Sequence, residues 1–181
     1  SAMFGGWCME SLNIPVIPAI GLILLLGTIL GWINGKITVT TGVHSFIVTL
    51  ATMSIYFGLM TLLTEAEAFR RLPESFTDFG SMKLLNKYLS PLLLLSFFST
   101  LALFYLFKFT DIGRKLIAAG ANPEAAELSG ISVSSMFIYC HMLSGFLGAL
   151  AGIMLTTRIG AAIPSMAGHL GFDWLLPAFL A

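Results

Sequence analysis

The residues that could do chemistry are few and scattered. The chain has three histidines and two cysteines, which lie at His44, His141, His169, Cys8 and Cys140. Their spacing matches no metal-binding or redox motif. The chain also lacks the nucleophile elbow of serine hydrolases, the paired histidines of zinc proteases and the phosphate-binding loop of ATPases. We therefore predict no catalytic residue, no cofactor and no metal ion, and the protein is not expected to be an enzyme.

His141 is an exception worth weighing, because it falls inside a long apolar run. An ionisable side chain at membrane depth is by default a candidate for function. The alternative is a neutral imidazole that is hydrogen bonded to a neighbouring helix, and we favour that structural role. Helix geometry disfavours a redox or metal pair with Cys140, because adjacent positions of a helix point about 100° apart.

A polar stretch over residues 108–131 carries the clearest local signal. Asn122 and Pro123 are typical of a helix start, and Glu124 in the first turn favours the positive end of the helix dipole. Ser129 and Gly130 form a plausible stop. The predicted helix of about two turns is too short to be stable alone in water. The residues between start and stop are good helix formers: Ala125, Ala126, Glu127 and Leu128. We interpret the helix as a surface to which another protein binds.

The elements that hold this stretch are membrane spans. Hydrophobic residues make up 57% of the chain and charged residues only 10%. Asp, Glu, Lys and Arg are absent from residues 14–35, 37–64, 88–107 and 128–157, and each interval is long enough to cross a bilayer. We predict an all-α, polytopic transmembrane helical bundle with spans at about 14–35, 43–63, 88–107 and 133–156. The net charge of zero gives no basis for binding nucleic acid.

Small residues mark two predicted packing faces. Gly27, Gly31 and Gly35 recur every fourth residue in the first span. The fourth span has a similar face of small residues at Gly145, Gly148, Ala149 and Gly152, in which Gly148 and Gly152 form a Gly-x-x-x-Gly pair. Such faces let two helices approach closely in lipid. Residues 36–42 are predicted as a polar link, and Pro91 is expected to break the third span near its start.

Hydroxyl groups provide the candidates for a polar path. Thr49 and Thr52 lie in the second predicted span, where most such hydroxyls bond the backbone of their own helix. We predict that Thr49, Thr52 and Asp173 line a polar pathway across the membrane. The long polar loop of residues 64–87 is either a solvated loop or a docking surface with apolar anchors in a charged rim. Its candidate docking residues are Leu72, Pro73, Glu74 and Phe76.

The ends of the sequence look internal to a longer protein. The final apolar stretch from Trp174 to Ala181 stops before it could span, and the first residues resemble the last turns of a helix. We therefore expect an internal fragment with partial helices at both ends. Lys and Arg divide four against five between the two sides of the membrane, so charge does not give the topology.

The sequence resembles the permease subunits of bacterial sugar ABC importers, of the ribose, xylose and autoinducer-2 type. The resemblance extends over nearly the whole chain, and its most specific part is residues 113–131. The motifs that carry it are GWINGK (31–36), FIVTLATM (46–53), YFGL (56–59), LPESF (72–76), GRK (113–115), AAGANPEAAELSGI (118–131) and GFLGALAG (145–152).

The resemblance implies a role for each part of the chain. Residues 122–129 would form the coupling helix that docks into an ATP-binding subunit, with Gly113, Arg114 and Gly120 in the same cytoplasmic loop of residues 108–131. Residues 64–87 would then face outward, toward a periplasmic substrate-binding protein. The implied assembly contains a second permease subunit and lies in the bacterial inner membrane. Members of the family are about twice as long as this chain. The implied function is import of a monosaccharide or related solute.

Two alternatives stay open. A branched-chain amino-acid permease of the same superfamily is one, although its equivalent loop lacks the run Ala-Gly-x-Asn-Pro-Glu-Ala-Ala. A secondary transporter or channel without an ATPase is the other. The absence of Asp and Glu from the four predicted spans counts against proton coupling through a carboxylate.

Overall fold

A computed structural model of the chain describes residues 2–11, 14–64, 76 and 90–162. These residues form helices and no β-strand. In chain order the helices are α1 (Ala2–Ser11), α2 (Val16–Thr41), α3 (Ser45–Leu63), α4 (Pro91–Phe109), α5 (Asp111–Ala121), α6 (Pro123–Leu128) and α7 (Val133–Ile159). Four of them, α2, α3, α4 and α7, are long and apolar enough to cross a membrane. The predicted polytopic helical bundle is confirmed.

Helix α2 is longer than the sequence predicted. It continues through residues 36–41, where a polar link was expected, and ends at Gly42 in the left-handed conformation with φ of 67°. The threonines explain the difference, because the hydroxyls of Thr38, Thr40 and Thr41 each donate to a carbonyl one turn earlier. A hydroxyl that bonds its own helix is satisfied without leaving the helical conformation. Lys36 is a charge within the last turns of the helix and does not end it.

Pro91 begins α4 and does not break it. Ser90 caps the helix by accepting a hydrogen bond from the Leu92 N–H, and Pro91 occupies the first turn. Proline is favoured there because its missing N–H would have no partner inside the helix and its fixed φ suits the first turn. The expected break near the start of the third span is therefore wrong.

Helices α2 and α7 form the closely packed pair of the fold. A Cβ added at Gly35 would lie 3.0 Å from the Ile138 Cα, and one at Gly27 would collide with Ala149 and Gly145. The matching contacts run in opposite directions along the two helices, so α2 and α7 are antiparallel. Backbone contact of this kind replaces the hydrophobic effect as the source of helix association in lipid. The packing face predicted for the first span is confirmed.

The packing face of α7 uses part of the predicted set of small residues. Gly145 contacts Gly27 and Gly31 of α2, whereas a Cβ at Gly148 would meet no described atom within 4 Å. Gly148 therefore takes no part in the contact with α2. Gly145 and Ala149, which belong to the predicted face, form that contact.

A small apolar core lies at one end of the α2–α7 pair. It joins Ala19 and Ile23 of α2, Ala149 and Ile153 of α7, and Phe76. The start of α7, which follows α5 and α6, lies at the other end of the pair. Many apolar side chains of the spans point outward, among them Leu25, Ile47, Phe97 and Phe146. Outward apolar surface on helices of this length is typical of contact with lipid.

Candidate functional site

Helix α6 is short and is capped at both ends. At its start, the Asn122 Oδ1 accepts from the Ala125 N–H at 3.0 Å, and Pro123 occupies the first helical position. Glu124 lies in the first turn, as predicted. A side-chain oxygen at this position satisfies one of the backbone donors that a helix start leaves open.

The end of α6 forms a complete Schellman motif. The Gly130 N–H donates to the Glu127 carbonyl at 2.9 Å, and the Ile131 N–H donates to the Ala126 carbonyl at 3.0 Å. Gly130 has a φ of +79°, which costs glycine little and other residues more. The predicted stop at Ser129 and Gly130 is confirmed. A helix of six residues, unstable alone, is thus held in shape from both ends.

Helix α6 presents most of its surface outward. Ala126 is 4% exposed and holds the helix against the fold, whereas Leu128 is 91% exposed. Pro123, Glu124 and Ala125 are also exposed. The capped helix therefore presents one large apolar side chain, Leu128, that is free to contact another protein.

Helix α5 is the platform for α6, and the sequence analysis did not identify it as a helix. The Thr110 hydroxyl caps it by accepting from the Gly113 N–H at 3.1 Å. Gly113 lies against the end of α4, where an added Cβ would be 2.6 Å from the Phe107 Cα. Arg114 pairs with Asp111 on the exposed face. Gly120 has open space around it among the described residues. The apolar and polar residues that separate onto two faces of residues 111–121 were the available signal.

The hydroxyls assigned to the pathway are engaged within their own helix. The Thr49 hydroxyl donates to the Phe46 carbonyl at 3.0 Å, and that of buried Thr52 donates to the Val48 carbonyl at 2.9 Å. Their oxygens retain acceptor capacity, so the pathway assignment stays a prediction. Asp173 lies outside the described residues.

An amide that the sequence analysis did not select is hydrogen bonded to a different side chain of α3. Asn34 of α2 accepts a hydrogen bond from the Tyr56 hydroxyl of α3 through its Oδ1, at 3.3 Å. Asn34 is the sole Asn or Gln in the four long helices. A lone carboxamide inside a membrane span was a signal that could have identified it.

A groove lies next to this pair, at the end of the fold that carries α6. It has a volume of about 340 Å³, and its lining includes Thr38 of α2, His44 and Ser45 at the start of α3, and Ser134 and Phe137 at the start of α7. Small-molecule sites span roughly 300–1,000 Å³. The groove is therefore large enough for a small solute.

His141 has a structural role in the described fold. Its Nδ1 donates to the Phe137 carbonyl of its own helix at 3.0 Å, and its ring lies 5.5 Å from that of Phe137. The sequence analysis predicted a hydrogen-bond partner on a neighbouring helix, but the observed partner belongs to α7 itself. The side chain also fills the space above Gly35. Among the described residues, no group of three or more His, Cys, Asp and Glu side chains could hold a metal ion.

The external docking residues fall largely outside the described structure, which includes neither Leu72, Pro73 nor Glu74. Phe76 is 3% exposed and belongs to the apolar core with Met9 and Ile23. A side chain buried in this way is not an exposed anchor for a partner, so the prediction for Phe76 is corrected. The aromatic ring was assigned to solvent because its loop is polar, but the ring packs against α2 and α7.

The known proteins that match this chain are permease components of transport systems. All residues, 1–181, match the family described as branched-chain amino acid transport system / permease component. The ribose import permease protein RbsC of Haemophilus influenzae is 35% identical over 161 residues, which are 87% of this chain and 49% of that protein. The autoinducer 2 import system permease protein LsrD of Photorhabdus temperata is 32% identical over 180 residues, 96% of this chain and 52% of that protein.

A third relative is the D-allose transport system permease protein AlsC of Escherichia coli, which is 33% identical over 150 residues, 83% of this chain and 45% of that protein. The chain spans about half the length of these curated relatives. No solved structure matches the chain.

Proposed function

The chain belongs to the permease-component family of transport systems that it matches along its whole length, and from that premise we propose its function. It is the membrane-spanning permease subunit of an ATP-driven importer, and it moves a monosaccharide or similar small polar solute across the bacterial inner membrane. Permease relatives named for ribose, allose and galactose import support a sugar over an amino acid.

The observation that carries the proposal is the geometry of α6. The helix is capped at both ends, fixed by buried Ala126 and tipped by exposed Leu128. A short rigid element of this kind transmits a push, whereas a flexible loop would absorb it. In the proposed assembly α6 is the coupling helix, and a separate ATP-binding subunit receives it and hydrolyses ATP.

Two further partners complete the proposed importer. A second permease subunit lines the path together with this one, and a periplasmic substrate-binding protein delivers the solute on the side opposite α6. When two ATP-binding subunits close on ATP, they push α6, and the motion reaches α7 through residues 129–132. The described parts of the four long helices contain no Asp or Glu, which weighs against a proton-coupled transporter.

The test replaces the proposed anchor in the full transporter. Leu128→Asp places a charge where we expect an apolar pocket, and it should abolish most ATP-driven uptake. The free energy of binding to the ATP-binding subunit should weaken by roughly 2 kcal/mol or more, as for an interface hot spot, so less of that subunit should copurify. Leu128→Met keeps the apolar volume and is the matched control. Membrane insertion should be the same in both variants.

Full uptake and copurification in Leu128→Asp would remove α6 from the coupling role. Solute uptake that continues without any ATP-binding subunit would overturn the importer assignment as a whole.

A further inference from the structure

We propose that Asn34 and Tyr56 form a hydroxyl-recognition site in the transport path, and that the site leads into the groove beside α6. This inference rests on the proposed function and adds the residues that contact the solute. The observation that supports the site is that some polar side chains of the spans have hydrogen-bond partners within their own helix and others do not.

Most hydroxyls in the spans are satisfied by their own helix. Thr28, Thr61, Thr156 and Thr157, among others, donate to a carbonyl one turn earlier. Within the described residues, the Tyr56–Asn34 bond is the one side-chain to side-chain hydrogen bond that joins two of the spanning helices. The pair therefore stands apart from the other polar groups of the spans.

The pair retains unused hydrogen-bonding capacity. A carboxamide has two N–H donors and two acceptor sites, and one acceptor site of Asn34 is used by Tyr56. No bond to the two Nδ2 donors is formed by the described residues. Polar groups without a partner in an apolar medium cost several kcal/mol. Asn34 is half-buried, so its donors can be reached by a group from outside the described residues.

The chemistry of the pair suits a sugar. An amide offers a donor and an acceptor side by side, and adjacent sugar hydroxyls need both. The tyrosine adds a hydroxyl and an apolar ring face. At 3.3 Å the Tyr56–Asn34 bond is longer than the usual 2.7–2.8 Å for such a pair. A solute hydroxyl can therefore replace it at small cost.

The position of the pair connects it to the groove. The Thr38 hydroxyl donates to the Asn34 carbonyl at 2.8 Å, and Thr38 lines the groove. Helices α2 and α3 are antiparallel across a three-residue connection, so with Asn34 opposite Tyr56, position 38 lies opposite position 52. Thr38 and Thr52 are both buried. Thr38 thus lies between Asn34 and the groove, one turn along α2.

The groove wall is linked directly to α6. Ser134 and Phe137 line the groove and belong to the first turns of α7. The Ile131 N–H is bonded to the Ala126 carbonyl of α6, and α7 begins two residues later. Any movement of α6 therefore displaces one wall of the groove, while α2 forms the other. This is a route by which ATP hydrolysis opens the path next to the recognition site.

The test uses the complete transporter in proteoliposomes, with its ATP-binding subunits and binding protein. Labelled D-ribose, D-allose and D-galactose are tried in turn, and the sugar that the wild type transports becomes the probe. Tyr56→Phe and Asn34→Leu should each lower uptake about tenfold, the effect of losing one or two hydrogen bonds. Ser54→Ala is the control, because its exposed hydroxyl donates to the Leu50 carbonyl of the same helix.

Two readouts separate recognition from a structural role. ATP hydrolysis stimulated by the binding protein should continue in both variants, and the preference for the probe over its 2-deoxy analogue should fall. Equal losses of uptake and hydrolysis, or unchanged uptake in Asn34→Leu, would overturn the recognition site. If the wild type shows no hydrolysis stimulated by a binding protein, the proposed function fails first, and the inference fails with it.

Discussion

Helices α2 and α7 approach closely because glycines without a Cβ lie at their contact. A Cβ at Gly145 would collide with the Gly27 carbonyl and lie 3.0 Å from the Gly31 Cα, so both partners are backbone atoms that cannot rotate away. We expect Gly145→Ala to lower the free energy of unfolding by about 1–3 kcal/mol, the usual cost of overpacking. Thermal unfolding of the detergent-solubilised protein measures the change.

Gly148→Ala is the control on the same helix. Its Cβ would meet no described atom within 4 Å, and alanine favours a helix over glycine by about 1 kcal/mol. Its stability should be unchanged or slightly raised. Equal unfolding temperatures for Gly145→Ala and Gly148→Ala would show that the described contact between α2 and α7 does not stabilise the protein.

The glycine contacts also show what sequence patterns can and cannot predict. The spacing of Gly27, Gly31 and Gly35 predicted a packing face, because three glycines one turn apart define a stripe whatever the partner. On α7 the same reasoning selected Gly145, Gly148, Ala149 and Gly152, but it did not say which of these four residues face α2. The facing residues on α7 depend on the register against α2, and no local pattern contains that register.

At the scale of elements, the turn between α4 and α5 depends on Gly113. A Cβ there would collide with the Leu106 carbonyl and force α5 away from the end of α4. We expect Gly113→Ala to increase hydrogen–deuterium exchange of the amides in α5 and α6, because a displacement costing about 1–3 kcal/mol loosens both helices. Gly120→Ala, in the same helix but in open space, should leave exchange unchanged or slower.

The end of α6 gives a second prediction at this scale. Gly130 adopts a φ of +79°, which costs residues with a Cβ about 1–2 kcal/mol. Gly130→Val should therefore unwind the end of α6 and weaken its binding to the proposed ATP-binding subunit. Gly130→Asn should retain most of the binding, because asparagine tolerates this conformation. Equal binding in the two variants would show that the Schellman motif is not needed for coupling.

The ends of α6 were predicted well, whereas the end of α2 was not. Asn122 and Gly130 defined α6 to within a residue, because capping is a local interaction. The end of α2 was placed at the first charge, Lys36, yet Thr38 and Thr41 continue the helix by bonding its backbone. A charge near a membrane surface marks the limit of the apolar region, and a helix can extend past that limit.

At the scale of the whole molecule, the four long helices set the two sides of the membrane. The connection between α2 and α3 lies at the same end as α5 and α6, since both adjoin the groove end of the α2–α7 pair. Phe76 packs at the opposite end. The described contacts thus separate residues 108–131 from residue 76 by the length of the bundle. Charge counts alone could not choose an orientation for this arrangement.

Labelling of single cysteines tests the orientation. In a Cys8→Ser, Cys140→Ser background, Ser129→Cys places a thiol beside exposed Leu128, and Glu74→Cys places one in the proposed external loop. A membrane-impermeant maleimide should label Glu74→Cys in intact spheroplasts and Ser129→Cys only after permeabilisation, because a bundle with four spans keeps these loops on opposite faces. The reverse pattern would place α6 outside the cell, where no ATP-binding subunit could reach it. Labelling of both thiols in intact spheroplasts would contradict the four-span arrangement itself, and with it the separation of solute delivery from ATP-driven coupling.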